Sequence, residues 1–250
     1  LLAVAFLATE PVRGSFYCGQ INLILMLLVA VDVLPRHHRF AGVGIGIAAG
    51  LKLTPAFFVI IFLVQRRFRA AAVAAGTFLA TVVAGFFIVP DAGAFWREAM
   101  LNSERVGVHE NPGAQSINSL LMRNAGTDST LLWLLLALLV TALTAAAAWL
   151  ALRRGNRTLA LALTGIGACL VSPFSWFHHW VWIVPLTVAV IAGIASRIDA
   201  RGFLAAQLGA LLTVAVVFLM LLPYVAGVLW PQRAYPGPWF LEVNLAWQLA

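Results

Sequence analysis

Long apolar segments alternate with short polar linkers along the chain, and this pattern predicts a set of membrane-spanning helices. A helix crosses the hydrocarbon core of a bilayer with about 20 apolar residues. Segments that reach or approach this length lie at 19–34, 41–64, 70–90, 130–152, 158–172, 180–195 and 203–223, after a shorter apolar stub at 1–9. The pattern therefore predicts an all-α, polytopic integral membrane protein.

We expect residues 1–250 to form a single transmembrane domain with an outer loop at 91–129 and an outer tail at 224–250. The chain begins and stops within apolar sequence, without an initiator methionine or the basic region of a signal peptide. We therefore expect this domain to be partial, as a piece of a longer chain.

The composition supports a membrane protein and excludes other classes. Hydrophobic residues make up 62% of the chain and charged residues 10%, whereas a soluble domain has about 45–50% and about 25%. Neither a water-soluble enzyme nor a disordered chain fits these values. The formal charge of +7 comes mostly from arginines in short runs between apolar segments, a pattern that sets membrane orientation. No nucleic-acid partner is expected.

The basic linkers predict which side of the membrane each loop occupies. Lys and Arg accumulate in cytoplasmic loops, which places the linkers at 65–69, 153–157 and 196–201 inside. An unbroken helix over 41–64 would leave Arg36 and Arg39 outside, against this rule. Pro55 and Lys52 interrupt that segment, and proline breaks helices. A broken helix with an outward-facing turn at Lys52–Pro55 would satisfy the rule, and an unbroken helix is the alternative.

With the broken helix, four polar islands share the extracytoplasmic face: 10–22, 52–54, 109–118 and 172–179. Lys52 is the only lysine of the chain, and a charge within a membrane segment costs at least about 2.5–3.5 kcal/mol and usually faces a cavity. Its ammonium group beside the Thr54 hydroxyl is a reasonable phosphate site. The alternative is that Lys52 reaches the lipid headgroups from a helix end.

The other islands supply amides, hydroxyls and imidazoles. Gln20 and Asn22 can hydrogen-bond a sugar or cap a helix. The loop at 109–118 contains a Pro-Gly turn and is either a polar lid over a hydrophilic substrate or a solvated loop. His178 and His179 can act as general acid or base groups or as phosphate donors. Neighbouring residues of a helix point about 100° apart, and the chain has no metal-binding motif, so no metal is expected.

Together, the islands resemble glycosyltransferase family 87, the polyprenyl-phosphate-mannose-dependent α-(1→2) mannosyltransferases of the GT-C class in actinobacteria. The resemblance covers about residues 9–182. It rests on four stretches in this order: Glu10-Pro11-Val12 leading to Gly19-Gln20-Ile21-Asn22 and Asp32; Gly50-Leu51-Lys52-Leu53-Thr54-Pro55 leading to Arg66-Arg67; Asn111 to Asn118; and Ser172-Pro173 through Ser175-Trp176 to His178-His179-Trp180.

This resemblance implies a GT-C-like helical bundle in the plasma membrane, with several spans and an extracytoplasmic active face. The implied reaction transfers mannose, with inversion, from a polyprenyl-phosphate donor to a lipid-anchored mannoside acceptor in cell-envelope glycolipid assembly. Its partners are the polyprenyl-phosphate sugar, the lipid-linked glycan and membrane lipids, and no cofactor is expected. Transfer of arabinose or another sugar from a decaprenyl-phosphate donor is one alternative, and a lipid-linked sugar transporter or flippase is another.

The resemblance also implies roles for individual residues. Lys52, with Thr54 beside it, would bind the donor phosphate, and His178 or His179 would assist the phosphate or the base. The family's general base is typically an aspartate of the first outer loop, which we expect upstream of residue 1, so Glu10 would have a supporting catalytic role. The remaining substrate contacts would come from Gln20, Asn22, His109, Asn111, Gln115, Asn118, Ser175 and Trp176.

Overall fold

The computed structural model describes residues 6–7, 9–35, 39–100, 106–111 and 113–198. The predicted span at 203–223 and the outer tail at 224–250 lie outside these residues. Within the described residues there is no strand, and the only extended pairing is an isolated bridge between Ala114 and Trp176. The prediction of an all-α fold is therefore confirmed for this part of the chain.

Ten α-helices follow one another in the described residues, some of them joined by 3₁₀ or π turns. They are α1 (Glu10–Tyr17), α2 (Asn22–Val33), α3 (Val43–Leu51), α4 (Val59–Val64), α5 (Phe68–Ile88), the single turn α6 (Ala92–Ala94), α7 (Ile117–Ala125), α8 (Thr130–Arg153), α9 (Arg157–Val171) and α10 (Ile183–Ile198). Two helices, α5 and α8, are long and apolar enough to cross a membrane, and most of their side chains are exposed. The larger number of spans that the sequence predicts stays a prediction.

The described residues form two compact units. The first contains the residues up to Leu23 and those from Phe177 onward, and the second runs from Ile24 to Trp176. In the first unit, α1 packs against a 3₁₀ turn at Phe177–His179. In the second unit, α3 packs against α5, and α8 against α9.

The predicted break at the centre of 41–64 is present. Helix α3 ends at Leu51, and Lys52 has extended backbone angles of φ −155° and ψ 126°. The chain then resumes as a 3₁₀ turn at Thr54–Phe58, with Pro55 in its first positions, and continues into α4. Proline lacks an N–H group and suits the start of a helical segment. The structure confirms the break at Lys52, and the outward orientation of this turn stays a prediction.

Helix α3 approaches α5 closely because glycines line the contact. Gly42, Gly46 and Gly50 are four residues apart, and a Cβ atom added to any of them would meet α5. At Gly46 that atom would lie 2.5 Å from Thr77 Cβ and 2.6 Å from the Ala74 carbonyl oxygen. Small residues at this spacing let helix backbones pack together in membranes.

Two side chains fix the ends of helices in the second unit. The buried Asp32 accepts a hydrogen bond of 2.8 Å from the Ile45 N–H group, in the first turn of α3, where a negative charge is favourable. Arg157 donates to the carbonyl oxygens of Val33 and Pro35 at the end of α2. These contacts tie α2 to α3 and to α9.

Helix α10 begins three residues later than the apolar pattern predicts. The pattern places a span at 180–195, whereas the helix runs over Ile183–Ile198. Proline is tolerated only in the first turn of a helix, and Pro185 therefore requires the helix to begin close before it. The residues ahead of the helix, Trp180 to Trp182, are buried.

Candidate functional site

Two of the predicted islands meet in the second unit, where the loop before α7 pairs with the segment after α9. The Gln115 N–H group donates to the Ser175 carbonyl oxygen at 2.6 Å. The Ser116 hydroxyl donates to the Pro173 carbonyl oxygen at 3.2 Å, and the Asn118 amide reaches the same oxygen at 3.4 Å. We call this paired region, residues 106–111, 113–119 and 172–176, the loop clasp.

A buried hydrogen-bond network lies inside the loop clasp. His109 Nδ1 lies 2.9 Å from the Ser119 hydroxyl, which lies 3.0 Å from the Ser116 hydroxyl. All three side chains are buried, and the His109 ring packs edge-on against Phe174 at 4.9 Å. His109 therefore holds the loop to α7 in this structure. Asn111, by contrast, is exposed, and its side-chain oxygen accepts from the Gly113 N–H group at 2.8 Å.

Arg123 holds the loop clasp from α7, a role that no sequence pattern predicts. Its Nη1 atom donates to the carbonyl oxygens of His109, Asn111 and Ala114 at 3.2, 3.1 and 3.0 Å. Burial lowers the pKa of Arg123, but an arginine with an ordinary pKa above about 12 stays charged. Its only sequence signal is a basic residue in the last turn of α7, where cations are favourable.

Lys52 belongs to the same unit as the loop clasp. Its side chain is half-buried and lies near Cys169 in the last turn of α9. The buried Ser175 hydroxyl hydrogen-bonds the Cys169 sulfur, and the Ser175 carbonyl oxygen accepts from the Gln115 N–H group. The 3₁₀ turn that starts at Thr54 packs against α9. The structure thus links the islands at 52–54, 109–118 and 172–176 through α9.

The remaining island residues lie in the first unit, around the two histidines. His178 is buried and His179 is half-buried, with ring centroids 4.8 Å apart and ring planes at 86°. The Asn22 amide donates to the His178 carbonyl oxygen at 2.7 Å and to the Ser15 hydroxyl at 3.1 Å. The sequence analysis did not single out Ser15, which is buried and 3.0 Å from the same carbonyl oxygen.

The other two candidates of this unit are more accessible. The Glu10 carboxylate forms an ion pair of 2.6 Å with Arg13, one turn further along α1. Gln20 is exposed, and its backbone N–H group donates to the Ser15 carbonyl oxygen. The candidate residues therefore form two groups, one in each unit. In the second group, the Trp176 indole N–H donates to the Val106 carbonyl oxygen at 3.2 Å and joins the two segments of the loop clasp.

Two long apolar helices with mostly exposed side chains are typical of a helical membrane protein. The break at Lys52 and the buried amide and imidazole groups add polar clusters to it. Comparison with known proteins makes the class specific. The model of glycosyltransferase family 87 matches residues 1–173. The chain belongs to this family, as the resemblance in the islands predicts.

Two relatives are named polyprenol-phosphate-mannose-dependent alpha-(1-2)-phosphatidylinositol mannoside mannosyltransferases. The protein from Mycobacterium tuberculosis is 37% identical over 194 residues, which cover 76% of this chain and 45% of the relative. The protein from Mycolicibacterium smegmatis is 37% identical over 208 residues, with coverages of 79% and 47%.

A further Mycolicibacterium smegmatis relative has a name that specifies a phosphatidylinositol pentamannoside. It is 32% identical over 245 residues, which cover 97% of this chain and 57% of the relative. The chain spans about half the length of these curated relatives. No solved structure matches it, so the GT-C-like arrangement of the helices stays a prediction.

Proposed function

We propose that the protein transfers mannose from a polyprenyl-phosphate-mannose donor to a phosphatidylinositol mannoside acceptor, forming an α-(1→2) linkage with inversion. The observation that carries this proposal is Lys52, the only lysine, at the break between α3 and the next turn in a chain of family 87. The names of the relatives supply the donor, the linkage and the acceptor class. We place the reaction at the extracytoplasmic face of the plasma membrane, in a multi-pass protein.

The polar groups of the second unit suit a lipid-phosphate leaving group. In an inverting transfer, the acceptor hydroxyl attacks the anomeric carbon, the bond to the phosphate oxygen breaks and the phosphate leaves with its negative charge. A half-buried ammonium group interacts with that charge more strongly than an ammonium group in water does. We assign Lys52 to this phosphate, with the Thr54 hydroxyl beside it. Asn118 and Trp176 contribute contacts to the sugar from the loop clasp, and Gln115 and Ser175, whose side chains are buried in this structure, support the same contacts from inside it.

The histidine pair supplies proton-transfer groups in the first unit. An imidazole can donate or accept a proton, so His178 and His179 can assist the departing phosphate or the base that takes the acceptor proton. Glu10, which is paired with Arg13, supports the charge balance around them, and Gln20 contacts the sugar. His109 and Asn111 contribute through the loop clasp.

The proposal is tested on membranes that carry the complete gene product. The assay supplies radiolabelled polyprenyl-phosphate-mannose and a phosphatidylinositol mannoside and follows label in the acceptor. The product is then digested with an α-(1→2)-specific mannosidase, which should release the label. A parallel assay supplies decaprenyl-phosphate-arabinose, and transfer of arabinose instead of mannose would overturn the donor assignment. Absence of any glycosyl transfer, together with movement of the lipid-linked sugar across proteoliposome membranes, would establish a transporter.

A second measurement tests the role of Lys52. Lys52→Met removes the charge and keeps a long apolar side chain, and we expect kcat to fall by about 10²–10³-fold, the cost of losing one donor to a developing oxyanion. Lys52→Arg should retain part of the activity because it keeps the charge. Arg69→Met removes one positive charge from an exposed position at the start of α5 and is the matched control. Equal rates for Lys52→Met and Arg69→Met would refute the assignment.

The orientation of the broken helix is tested by labelling. A cysteine at Arg39, in a Cys18→Ser background, should react with a membrane-impermeant maleimide only after the membrane is opened. Labelling in intact cells would place this linker outside and contradict the outward-facing turn at Lys52.

A further inference from the structure

The His178 carbonyl oxygen is held by two side chains that lie outside the histidine pair. Asn22 Nδ2 donates to it at 2.7 Å, and the Ser15 hydroxyl lies 3.0 Å from it. Asn22 also donates to Ser15 at 3.1 Å, so the three groups are mutually connected. Ser15 is 1% exposed and Asn22 is 5% exposed. Both side chains are therefore removed from solvent and committed to the backbone of the histidine turn.

This carbonyl group controls the direction of both imidazoles. It belongs to the peptide unit that joins His178 to His179, and a peptide unit is planar. Holding this plane in place restrains the two Cα atoms that carry the imidazoles, and with them the positions from which both side chains leave the backbone. The last carbonyl groups of a helical turn have no partner within the turn. Side-chain donors are thus needed to hold the short turn Phe177–His179 in place.

Helix α1 is shaped to accept this turn. A Cβ atom added to Gly14 would lie 2.5 Å from Phe177 Cε2 and 3.2 Å from His178 Cβ. The absence of a side chain at Gly14 therefore lets α1 and the turn approach. The Ser15 hydroxyl also lies 2.8 Å from the Pro11 carbonyl oxygen, one turn earlier in α1, and shares its single proton between this oxygen and the His178 carbonyl oxygen. Two adjacent residues of α1, Gly14 and Ser15, therefore supply the close contact and the hydrogen bond.

We infer that Asn22 and Ser15 are positioning residues that set the orientation of the His178–His179 pair. This inference rests on the proposed mannosyl transfer, because that reaction is what gives the two histidines a role as proton-transfer groups. It assigns Asn22 to the protein backbone instead of to a sugar hydroxyl. Ser15 becomes a functional residue that the sequence pattern does not reveal.

Isosteric variants of Asn22 separate the two assignments. Asn22→Asp keeps the shape but places a carboxylate oxygen against the His178 carbonyl oxygen, and the two acceptors repel. A direct sugar contact would survive this change, since a carboxylate accepts hydrogen bonds from sugar hydroxyls. We expect Asn22→Asp and Asn22→Ala to lower kcat alike, by about 10²-fold, the cost of a misplacement near 1 Å, with little change in KM. Ser15→Ala should lower kcat less, because Asn22 still holds the carbonyl group.

A double-mutant test separates positioning from a general loss of folding. In a background that carries His178→Ala and His179→Ala, Asn22→Ala should cause no further loss, because the groups that it orients are gone. A merely structural role would reduce the activity by the same factor in both backgrounds. Rates are expressed per folded protein, measured by fluorescence-detected size exclusion. Tyr17→Phe, which also deletes one hydroxyl but at an 83% exposed site of α1, is the control expected to keep the wild-type rate.

The outcomes distinguish the inference from the proposed function. If the unmodified protein transfers no mannose, the proposed function fails. If it does transfer mannose and the histidine variants lose activity, while Asn22→Asp keeps the wild-type kcat or Asn22→Ala acts additively with the histidine variants, the positioning inference alone is overturned.

Discussion

Replacing Gly46 by alanine tests the packing that holds the broken helix against α5. The added methyl carbon would lie 2.5 Å from Thr77 Cβ and 2.6 Å from the Ala74 carbonyl oxygen, whereas carbon atoms in contact are separated by about 3.5–4.0 Å. Neither neighbour can rotate away, because one is a backbone atom and the other is bonded directly to the backbone. The two helices must therefore separate by about 1 Å.

The change in the free energy of unfolding caused by Gly46→Ala is the sum of two opposing effects. Overpacking of a well-packed contact costs about 1–3 kcal/mol, while replacing a helix glycine by alanine gains about 0.5–1 kcal/mol. Gly76, within α5, has no atom within 4 Å of an added Cβ, so Gly76→Ala gains the second term without the first. The difference in free energy of unfolding between the two variants therefore isolates the packing term, and we expect it to be about 1–3 kcal/mol.

The assay is reversible unfolding in mixed micelles, with the fraction of denaturing detergent as the variable. Gly46→Ala should unfold at a lower fraction than the wild type, and Gly76→Ala at an equal or higher one. Because Lys52 directly follows α3, Gly46→Ala should also lower the rate of mannosyl transfer per folded protein. Equal unfolding midpoints for the two alanine variants would show that α3 and α5 do not pack through Gly46.

Two further predictions concern side chains that hold the backbone. Arg123→Met removes the donor to three carbonyl oxygens of the loop clasp, and a charged hydrogen bond contributes about 1.5–3 kcal/mol. The loosened loop should be cleaved faster after the exposed Glu110 by a glutamate-specific protease. An unchanged cleavage rate would contradict the role of Arg123. Asp32→Ala leaves the Ile45 N–H group without its acceptor, which lowers the free energy of unfolding by about 1–3 kcal/mol. Asp32→Asn keeps an acceptor oxygen, so Asp32→Ala should lower the unfolding midpoint more than Asp32→Asn does. Equal midpoints for the two Asp32 variants would contradict the hydrogen bond to α3.

Local signals in the sequence predict the apolar helices and the break at Lys52, but not α1 and α7, which lie in a predicted polar island and in the predicted outer loop. A proline and a charge at the centre of an apolar segment conflict with an unbroken helix, and both lie within four residues of each other, so no knowledge of distant contacts is needed. The late start of α10 has a local cause as well, in Pro185, although the apolar pattern conceals it. The islands around Lys52, Gln115 and Ser175 are also visible, because polar residues stand out against apolar surroundings.

Contacts with backbone carbonyl groups have no such signal. Ser15 and Arg123 each donate to the main chain of a segment distant in sequence or across a loop, and any residue can supply a carbonyl oxygen. The partner is therefore not encoded by a residue type, and no spacing rule identifies the donor. The same limitation explains why Asn22 looks like a sugar ligand in the sequence and a backbone donor in the structure.

In both groups of candidate residues, side chains hold backbone carbonyl groups in place. In the first unit, Asn22 and Ser15 hold the carbonyl group between two histidines, and in the second, Arg123 holds three carbonyl groups of the loop that carries Gln115. A short 3₁₀ turn and an irregular loop have few hydrogen bonds of their own, so side chains from neighbouring helices must supply them. Substitution of a holding residue should therefore change the reaction rate more than substrate affinity, since it moves groups that act on the transition state without removing a substrate contact. A KM-dominated effect at Asn22 or Arg123 would instead mean that the side chain binds substrate directly.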